Sequence, residues 1–315
     1  MLVSVIIPCY NCENFIEKAL ASLVKQERMP DEIICVDDGS TDRTAAIIQA
    51  FSATCPCRLT LIPQPNSGVS VARNTGITQA KGDILLFLDA DDRFSPCFIR
   101  RAEEAFLAGY DCVYSCYTHD PEELCLKSDK QSEAEQDKLN VMTAFMYQKG
   151  RFHTGAFAYS RKLLDAFNIR FTEGACYGED WEFTSKYIDV CSRFLCMPEK
   201  MMFYRRNPKS AMSKCTWQRV DAIYAAERVE QFLLDRSNEC YHVFASYMKH
   251  RAVFSVAHAF SRFREKQLYQ RLCSEFQVKK SMKAIATDPK VSAKVRAAAW
   301  SYCFSKWLFF NLTGR

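Results

Sequence analysis

The sequence of 315 residues predicts an α/β fold, with a mostly parallel sheet flanked by helices and a helical extension at the C-terminal end. Short apolar runs alternate with stretches of helical apolar spacing over residues 3–88, which is the pattern of strands joined by helices. One of these runs, residues 84–88, lies between Gly82 and a cluster of acids, as is typical of a parallel strand buried on both faces. Beyond residue 216, apolar side chains recur at helical spacing almost to the end of the chain.

The individual elements follow from the same periodicities. The predicted strands cover residues 3–7, 32–36, 59–62 and 84–88, and the predicted helices cover residues 15–23, 44–51 and 69–79. Asn11 is predicted to cap the first helix. Each of the first three strands is followed by a helix, and right-handed crossovers of this kind join parallel strands. The three strand–helix units therefore predict a parallel sheet. Residues 117–138 are rich in charged and small polar residues with little periodicity, and they are predicted to form a surface loop.

Turn-forming residues and polar or aromatic side chains gather where the predicted strands end. They are Pro8 and Tyr10 after the first strand, Asp37 and Asp38 after the second, and Arg73 and Asn74 in the helix after the third. Taken singly, each is equally well explained as a turn or capping signal. The carboxyl ends of parallel strands share one edge of the sheet, so together they predict a nucleotide site there.

The acids after the fourth strand, Asp89, Asp91 and Asp92, would repel one another. Two unit charges about 4 Å apart cost roughly 4 kcal/mol at an effective dielectric near 20. Solvent, a raised pKa, a neighbouring arginine or a hard divalent cation could each offset that repulsion. The alternative to a metal site is a solvated turn that leads into the next helix.

The charge of the chain is unevenly distributed. Its composition, 48% hydrophobic and 25% charged with a net charge of +5, is that of an ordinary globular protein. Residues 216–315 contain 17 Lys and Arg against 8 Asp and Glu, a balance of +9, so the rest of the chain carries −4. Residues 291–312 combine basic and aromatic side chains, which is typical of a peripheral membrane contact. A packed helical core or a homodimer interface explains the same stripes.

Sixteen cysteines in a chain of this size, without a recognisable signal peptide, predict reduced thiols and a cytoplasmic protein. Cys9 and Cys12 have CxxC spacing, but no second pair at zinc-ribbon spacing follows, so structural cysteines are favoured over zinc. No apolar run reaches the roughly 18 residues that a membrane span requires. No nucleic-acid partner is expected.

Four segments in this order resemble the family 2 inverting glycosyltransferases, which have the GT-A fold. The segments are residues 3–11 (VSVIIPCYN), 36–42 (VDDGSTD), 66–74 (NSGVSVARN) and 87–92 (FLDADD). The resemblance covers roughly residues 1–210. It implies that Asp38 contacts the nucleotide base and that Pro8, Tyr10 and Arg73 line the nucleotide pocket.

The same resemblance makes Asp89 and Asp91 the DXD pair, which serves ribose, diphosphate and a bound Mg²⁺ or Mn²⁺. Residues 178–183 (GEDWEF) resemble the ED motif of the family, which implies that Asp180 is the general base. Residues 153–157 (HTGAF) resemble the glycine-containing loop of the donor and acceptor pocket. Residues 203–210 resemble the segment that closes over the diphosphate, and Asn207 stands near the position where many relatives have a metal-binding His.

The sequence therefore predicts a catalytic domain at residues 1–215 and a helical region at residues 216–315. The expected reaction is transfer of one sugar, with inversion, from a UDP-sugar to a saccharide or lipid-linked acceptor in cell-surface polysaccharide synthesis, at the inner face of the membrane. A catalytically silent nucleotide-sugar-binding subunit and a sugar nucleotidyltransferase are the alternatives. A processive synthase is disfavoured, since membrane spans and a QxxRW-type motif are not found in the sequence.

Overall fold

A computed structural model describes residues 1–125, 133–147, 152–206, 215–236 and 239–312. The chain divides into two compact units. The first comprises Met1–Val141, Gly150–Gly174 and Tyr187–Arg206, and the second comprises Met142–Lys149, Ala175–Lys186 and Asn207–Arg315. This division differs from the predicted boundary at residue 215, because two earlier segments of the chain belong to the second unit.

The elements follow one another in the order of a strand–helix alternation that gives way to helices. The strands are β1 (Val3–Cys9), β2 (Glu32–Asp37), β3 (Arg58–Pro63), β4 (Ile84–Phe87), β5 (Arg93–Phe94), β6 (Cys112–Thr118), β7 (Ala134–Gln136), β8 (Phe157–Ser160) and β9 (Phe194–Phe203). The helices are α1 (Ile16–Val24), α2 (Thr44–Ser52), α3 (Val69–Gln79), α4 (Phe98–Leu107), α5 (Lys138–Met146), α6 (Arg161–Ala166), α7 (Glu179–Val190), α8 (Asp221–Asp235), α9 (Glu239–Arg262), α10 (Lys266–Glu275), α11 (Val278–Thr287), α12 (Ala293–Phe304) and α13 (Lys306–Leu312).

The described strands form one sheet in the first unit, and its first half is parallel as predicted. Strands β3, β2, β1 and β4 lie side by side in that order. The chain leaves β3 and returns beside β1, so the direction of strand addition reverses between β1 and β4. Open α/β sheets bind ligands outside the carboxyl ends of the strands at such a reversal. Tyr10 follows β1, and Asp89 lies just beyond β4.

The second half of the sheet makes it mixed. Strand β8 is antiparallel to both β4 and β6, while β9 is parallel to β6 and antiparallel to β5 and β7. The α/β sheet flanked by helices is thus confirmed, with antiparallel strands added to its parallel half. The loop predicted over residues 117–138 is wrong at both ends, because Thr118 ends β6 and β7 pairs with β9. Residues 126–132 of that loop lie outside the described residues.

Close packing of α3 on β1 fixes the helix that carries Arg73. Val5, Ile6 and Ile7 of β1 are fully buried, as expected for a strand covered on both faces. A Cβ atom on Gly76 would lie 2.3 Å from Cγ2 of Ile6, so only glycine permits this approach. The position of α3 is therefore set by contact with the central strand of the sheet.

The described part of the second unit is mostly helical, which confirms the helical region predicted for residues 216–315 over residues 216–236 and 239–312. Helix α9 packs against α8, α10 and α11, and α12 packs against α11 and α13. Glu182 is buried in this unit and is neutralised by Lys186 at 2.7 Å and by Arg228 at 2.7 Å. A buried carboxylate needs such partners, since leaving it unpaired would cost several kcal/mol.

The aromatic cluster at the C-terminal end divides into a packed part and an exposed part. Tyr302 and Phe309 are buried, whereas Trp300, Phe304 and Trp307 are exposed by 44, 81 and 72%.

Within the described residues, no helix combines the length and the hydropathy that crossing a bilayer requires. All sixteen cysteines are free thiols.

Candidate active site

The loops that follow β1 and β2 are tied together at the carboxyl edge of the sheet. The backbone N–H of Asn11 donates to Oγ of Ser40 at 3.0 Å, and Oδ1 of Asn11 accepts from the N–H of Thr41 at 2.8 Å. The prediction that Asn11 caps α1 is wrong, because α1 begins at Ile16 and the Asn11 side chain holds the neighbouring loop instead. Tyr10, beside it, is 53% exposed.

Asp38 organises the loop that leads into α3. Its carboxylate accepts from Nε2 of Gln64 at 2.7 Å and from the backbone N–H groups of Ser67 and Gly68, both at 2.8 Å. The side chain is almost fully buried, so these three donors stabilise its charge. Its contact with a nucleotide base stays a prediction, since the described partners of this carboxylate belong to the protein.

Arg73 and Asp89 form the central ion pair of the site. Nη2 of Arg73 donates to Oδ1 of Asp89 at 2.8 Å, and the guanidinium lies 5.0 Å from the centroid of the Phe171 ring. Burial alone would raise the pKa of Asp89, but the charges of Arg73 and His153 outweigh it and hold the pKa below its usual range. Asp89 therefore stays ionised next to a buried cation.

Asp91 and Asp92 have the opposite electrostatic environment. Burial first, and then the charge of Asp89, raises the pKa of Asp91, while Arg205 partly offsets this. Asp92 is fully buried, and burial together with Asp89 raises its pKa well above the ordinary value. Its Oδ1 accepts from the backbone N–H of Arg205 at 2.8 Å, and its Oδ2 meets no hydrogen-bond donor among the described residues. The negative charge of Asp91 and Asp92 is therefore only partly balanced by the described groups around them.

Arg205 brings the segment after β9 to these acids. Its Nε donates to the backbone carbonyl of Asp91 at 3.2 Å, and its guanidinium lies 4.9 Å from the Phe15 ring and 5.5 Å from the Phe203 ring. The contact fits the predicted closing segment, residues 203–210, in which the next residue, Arg206, is exposed. Asn207 lies outside the described residues.

The loop at residues 153–157 also borders this edge. A Cβ on Gly155 would lie 2.8 Å from Cε of Met202 and 3.0 Å from the carbonyl oxygen of Phe87, so glycine is required where the loop passes β4. The His153 ring lies 4.4 Å from that of Tyr204. Neither Phe171 nor Tyr204 was predicted as a site residue. Tyr204 lies within the predicted closing segment, residues 203–210, and Phe171 lies before the predicted ED motif, residues 178–183.

Asp180 belongs to the second unit, whereas Arg73, Asp89, Asp91 and Arg205 come together in the first. It lies in the first turn of α7, and its Oδ1 accepts from the backbone N–H of Trp181 at 2.7 Å. Acids are favoured at helix N-termini by the helix dipole, so this position alone does not identify a base. Its predicted role as general base stays a prediction.

The acids of the first unit fit a divalent cation that arrives with a nucleotide. Carboxylate oxygens are the ligands that Mg²⁺ and Mn²⁺ prefer, and Mg²⁺ is usually held by one or two carboxylates plus substrate phosphates. The described residues contain no group of three or more His, Cys, Asp or Glu side chains that could hold a metal. The chemistry of the Asp89 and Asp91 oxygens therefore suits a site completed by diphosphate oxygens.

Comparison with known proteins identifies one family model and several related proteins. The model of glycosyl transferase family 2 matches residues 4–167. EpsJ of Bacillus subtilis, an uncharacterized glycosyltransferase, is 34% identical over 220 residues, which are 66% of this chain and 62% of EpsJ. GgaA of the same organism, a minor teichoic acid biosynthesis protein, is 27% identical over 246 residues, 76% of this chain and 52% of GgaA. The chain thus spans less than two thirds of either relative.

Solved structures share the fold at low sequence identity. TarS residues 1–349 from S. aureus, in complex with UDP-GlcNAc, has a TM-score of 0.72 and 23% identity over 100% of this chain and 90% of that chain. The mannosyltransferase PcManGT from Pyrobaculum calidifontis, in complex with GDP-Man and Mn²⁺, has a TM-score of 0.55 and 19% identity over 98% and 84%. These likenesses confirm the predicted GT-A fold.

Proposed function

Because the chain belongs to glycosyl transferase family 2, we propose that it transfers one sugar, with inversion, from a UDP-sugar to a hydroxyl group of a saccharide or lipid-linked acceptor. The observation that carries the proposal is the grouping of Arg73, Asp89, Asp91 and Arg205 at the reversal of strand order in the first unit. Two buried or half-buried cations beside two carboxylates suit a metal-bound nucleoside diphosphate.

The donor would lie along the carboxyl edge of β1 and β4. Tyr10 is exposed beside that edge and offers its ring to the base, while Pro8 and Asp38 border the same loops. The TarS structure with UDP-GlcNAc supports UDP as the nucleotide. Arg205 would face the diphosphate, because its guanidinium lies beside the backbone of Asp91.

Asp91, with Asp89, would hold Mg²⁺ or Mn²⁺ against the diphosphate, and the PcManGT complex with Mn²⁺ supports this metal dependence. A bound cation supplies charge stabilisation for the departing diphosphate. The pair Arg73–Asp89 would keep the Asp89 carboxylate ionised and oriented for that role. Asp180 would accept the proton of the attacking acceptor hydroxyl, as a single displacement with inversion requires.

The biological role proposed is cell-surface polysaccharide synthesis. The relationship to GgaA, a teichoic acid biosynthesis protein, supports it. The choice of sugar, acceptor and linkage depends on the shape of the pocket. A difference of one methylene group in an apolar pocket changes binding by only about 1–3 kcal/mol.

Thermal unfolding of the full chain with Mn²⁺ and a panel of nucleotide-sugars tests the donor. A UDP-sugar at 100 times its Kd is expected to stabilise the protein by about 2.7 kcal/mol. GDP-mannose and CMP-sialic acid serve as controls for the nucleotide base. The release of the nucleotide, which is UDP, GDP or CMP, is measured with each donor. The absence of stabilisation and of UDP release with every UDP-sugar would contradict the proposal.

Peripheral attachment to the inner face of the membrane is proposed for the C-terminal helices. The exposed rings of Phe304 and Trp307 stand beside Lys306, in a segment with a charge balance of +9. Each basic residue near an anionic leaflet contributes about 1 kcal/mol, and salt screens that attraction over about 10 Å at 0.1 M ionic strength. The attachment should therefore be reversible and weaker at high salt.

Co-sedimentation with anionic liposomes at low and high salt tests the attachment. The variant Phe304→Ser/Trp307→Ser is expected to lose most of the binding that the unmodified chain shows at low salt. The variant Leu107→Ser/Phe167→Ser, which removes two exposed apolar side chains from the first unit, should bind as the unmodified chain does. Equal sedimentation of all three would instead favour a protein-facing role for these rings, such as a homodimer interface.

A further inference from the structure

A cavity of about 300 Å³ lies within the second unit, and Asp180 forms part of its wall. Two arginines, Arg219 and Arg251, line the same cavity, together with the aromatic side chains of Tyr177 and Trp181. Ligand sites are typically concave and largely apolar, with a few convergent polar groups that fix orientation. The cavity therefore combines the predicted base with a set of groups that could select its substrate.

Arg219 is a fixed and buried positive charge. Only 7% of the residue is exposed, and its guanidinium lies 5.1 Å from the ring centroid of Tyr177 and 5.4 Å from that of Phe263. Cation–π contacts on two rings hold a guanidinium in place. Because it is withdrawn from water, its attraction for an anion in the cavity is screened less than that of a surface arginine.

Arg251 approaches the cavity from helix α9. Its Nη1 donates to Oγ of Ser255 at 3.0 Å, and its guanidinium lies 5.5 Å from the Phe254 ring. Burial raises the pKa of the nearby Tyr247 hydroxyl, and the charge of Arg251 offsets only part of this rise. A guanidinium carries five N–H donors in a planar fork that matches a carboxylate or phosphate group. These described contacts leave donors of Arg251 for a ligand.

The shape of the cavity is fixed beside the predicted base. Gly178 has a φ of +88°, and a Cβ there would lie 2.9 Å from Nε1 of Trp181 and 3.1 Å from Cα of Ala222. Only glycine lets this segment pass so close to the start of α8. The Trp181 indole next to Asp180 is thereby held as a flat wall, against which the apolar face of a sugar ring can pack.

The charges that line the cavity favour an anion. They are those of Asp180, Arg219 and Arg251, so positive charge exceeds negative charge by one. Glu182, the next acid on α7, does not offset this excess, because Lys186 and Arg228 already neutralise it. Burial first, and then the nearby charges of Asp221 and Glu179, raises the pKa of Cys176, and neither of these two acids lines the cavity.

We propose that this cavity binds an acceptor that carries an oxyanion, either a phosphate or a carboxylate group, close to the hydroxyl that receives the sugar. Arg219 and Arg251 hold the oxyanion, and Trp181 packs against the acceptor ring beside Asp180. The inference rests on the proposed glycosyl transfer, and it names the class of acceptor that the same reaction uses.

Calorimetric titration of the full chain with three matched probes, glucose, glucose 6-phosphate and glucuronic acid, tests this assignment. Both anionic probes, or glucose 6-phosphate alone if the site selects phosphate, should bind at least about ten-fold more tightly than glucose. Arg251→Gln should reduce that preference roughly ten-fold to a hundred-fold, as expected for a lost charge-assisted hydrogen bond. Arg251→Lys, which keeps the charge, should retain part of it.

Arg262→Gln is the matched control, because it removes the same charge from an exposed position of α9. It should leave the preference unchanged. Equal binding of all three probes to the unmodified chain would overturn the inference without any variant, and so would an Arg251→Gln preference equal to that of Arg262→Gln. UDP release from UDP-sugars is measured alongside, so that failure of the proposed reaction is distinguished from failure of the acceptor assignment.

Discussion

Asp91→Ala is expected to reduce sugar transfer by roughly a thousand-fold, which corresponds to about 4 kcal/mol of lost transition-state stabilisation. Asp91 is expected to contribute more than Asp89 to binding the cation. Asp89 is already paired with Arg73, whose Nη2 lies 2.8 Å from Oδ1 of Asp89. Burial and the Asp89 charge raise the pKa of Asp91, so its anionic form gains the most from a divalent cation. The variant should also bind UDP equally well with and without Mn²⁺.

Calorimetric titration of UDP at fixed Mn²⁺ concentration measures this effect. Protons compete with the cation for Asp91, so metal-dependent UDP binding should weaken as the pH falls through the raised pKa of this carboxyl. Asp83→Ala is the matched control, since it removes an exposed aspartate just before β4, at the opposite end of the strand. UDP binding that stays equally metal-dependent in Asp91→Ala would place the metal elsewhere.

The parallel half of the fold was predictable because its signals are local. Each strand of residues 3–88 is a short apolar run, and each helix between them has its own apolar spacing, so the bounds of α3 were predicted without error. The antiparallel half depends on pairing between distant segments, such as β6 with β9, which no local period encodes. Strand β7, with three residues, is too short to give a period at all.

The residues of the site show the same contrast between local motifs and contacts of distant segments. The motifs identified Arg73, Asp89 and Asp91, but they did not predict that Arg205 would approach Asp91, because the two residues are separated by more than a hundred positions in the chain. Asp38 shows the converse limit, because its motif predicts a contact with the nucleotide base, whereas its described partners are Gln64 and two backbone N–H groups. A motif locates a residue in the chain, whereas the three-dimensional contacts decide what its side chain binds.

Asp180→Asn is expected to leave donor binding intact and to lower the turnover of transfer by about 10² to 10⁴, the usual contribution of a general base. The carboxamide has nearly the shape of the carboxylate, and its Oδ1 can still accept from the N–H of Trp181, so α7 should keep its first turn. What the variant lacks is a basic oxygen that can take the proton of the acceptor hydroxyl.

Steady-state transfer kinetics with saturating UDP-sugar, together with measurements of UDP binding, separate an effect on turnover from an effect on donor binding. Glu179→Gln is the matched control, because it removes the neighbouring acid of the same helical turn and should retain most of the turnover. The transfer defect of Asp180→Asn should persist at alkaline pH, since an amide does not become a base there. Near-normal turnover in Asp180→Asn, combined with a large loss in Glu179→Gln, would instead assign the base to Glu179.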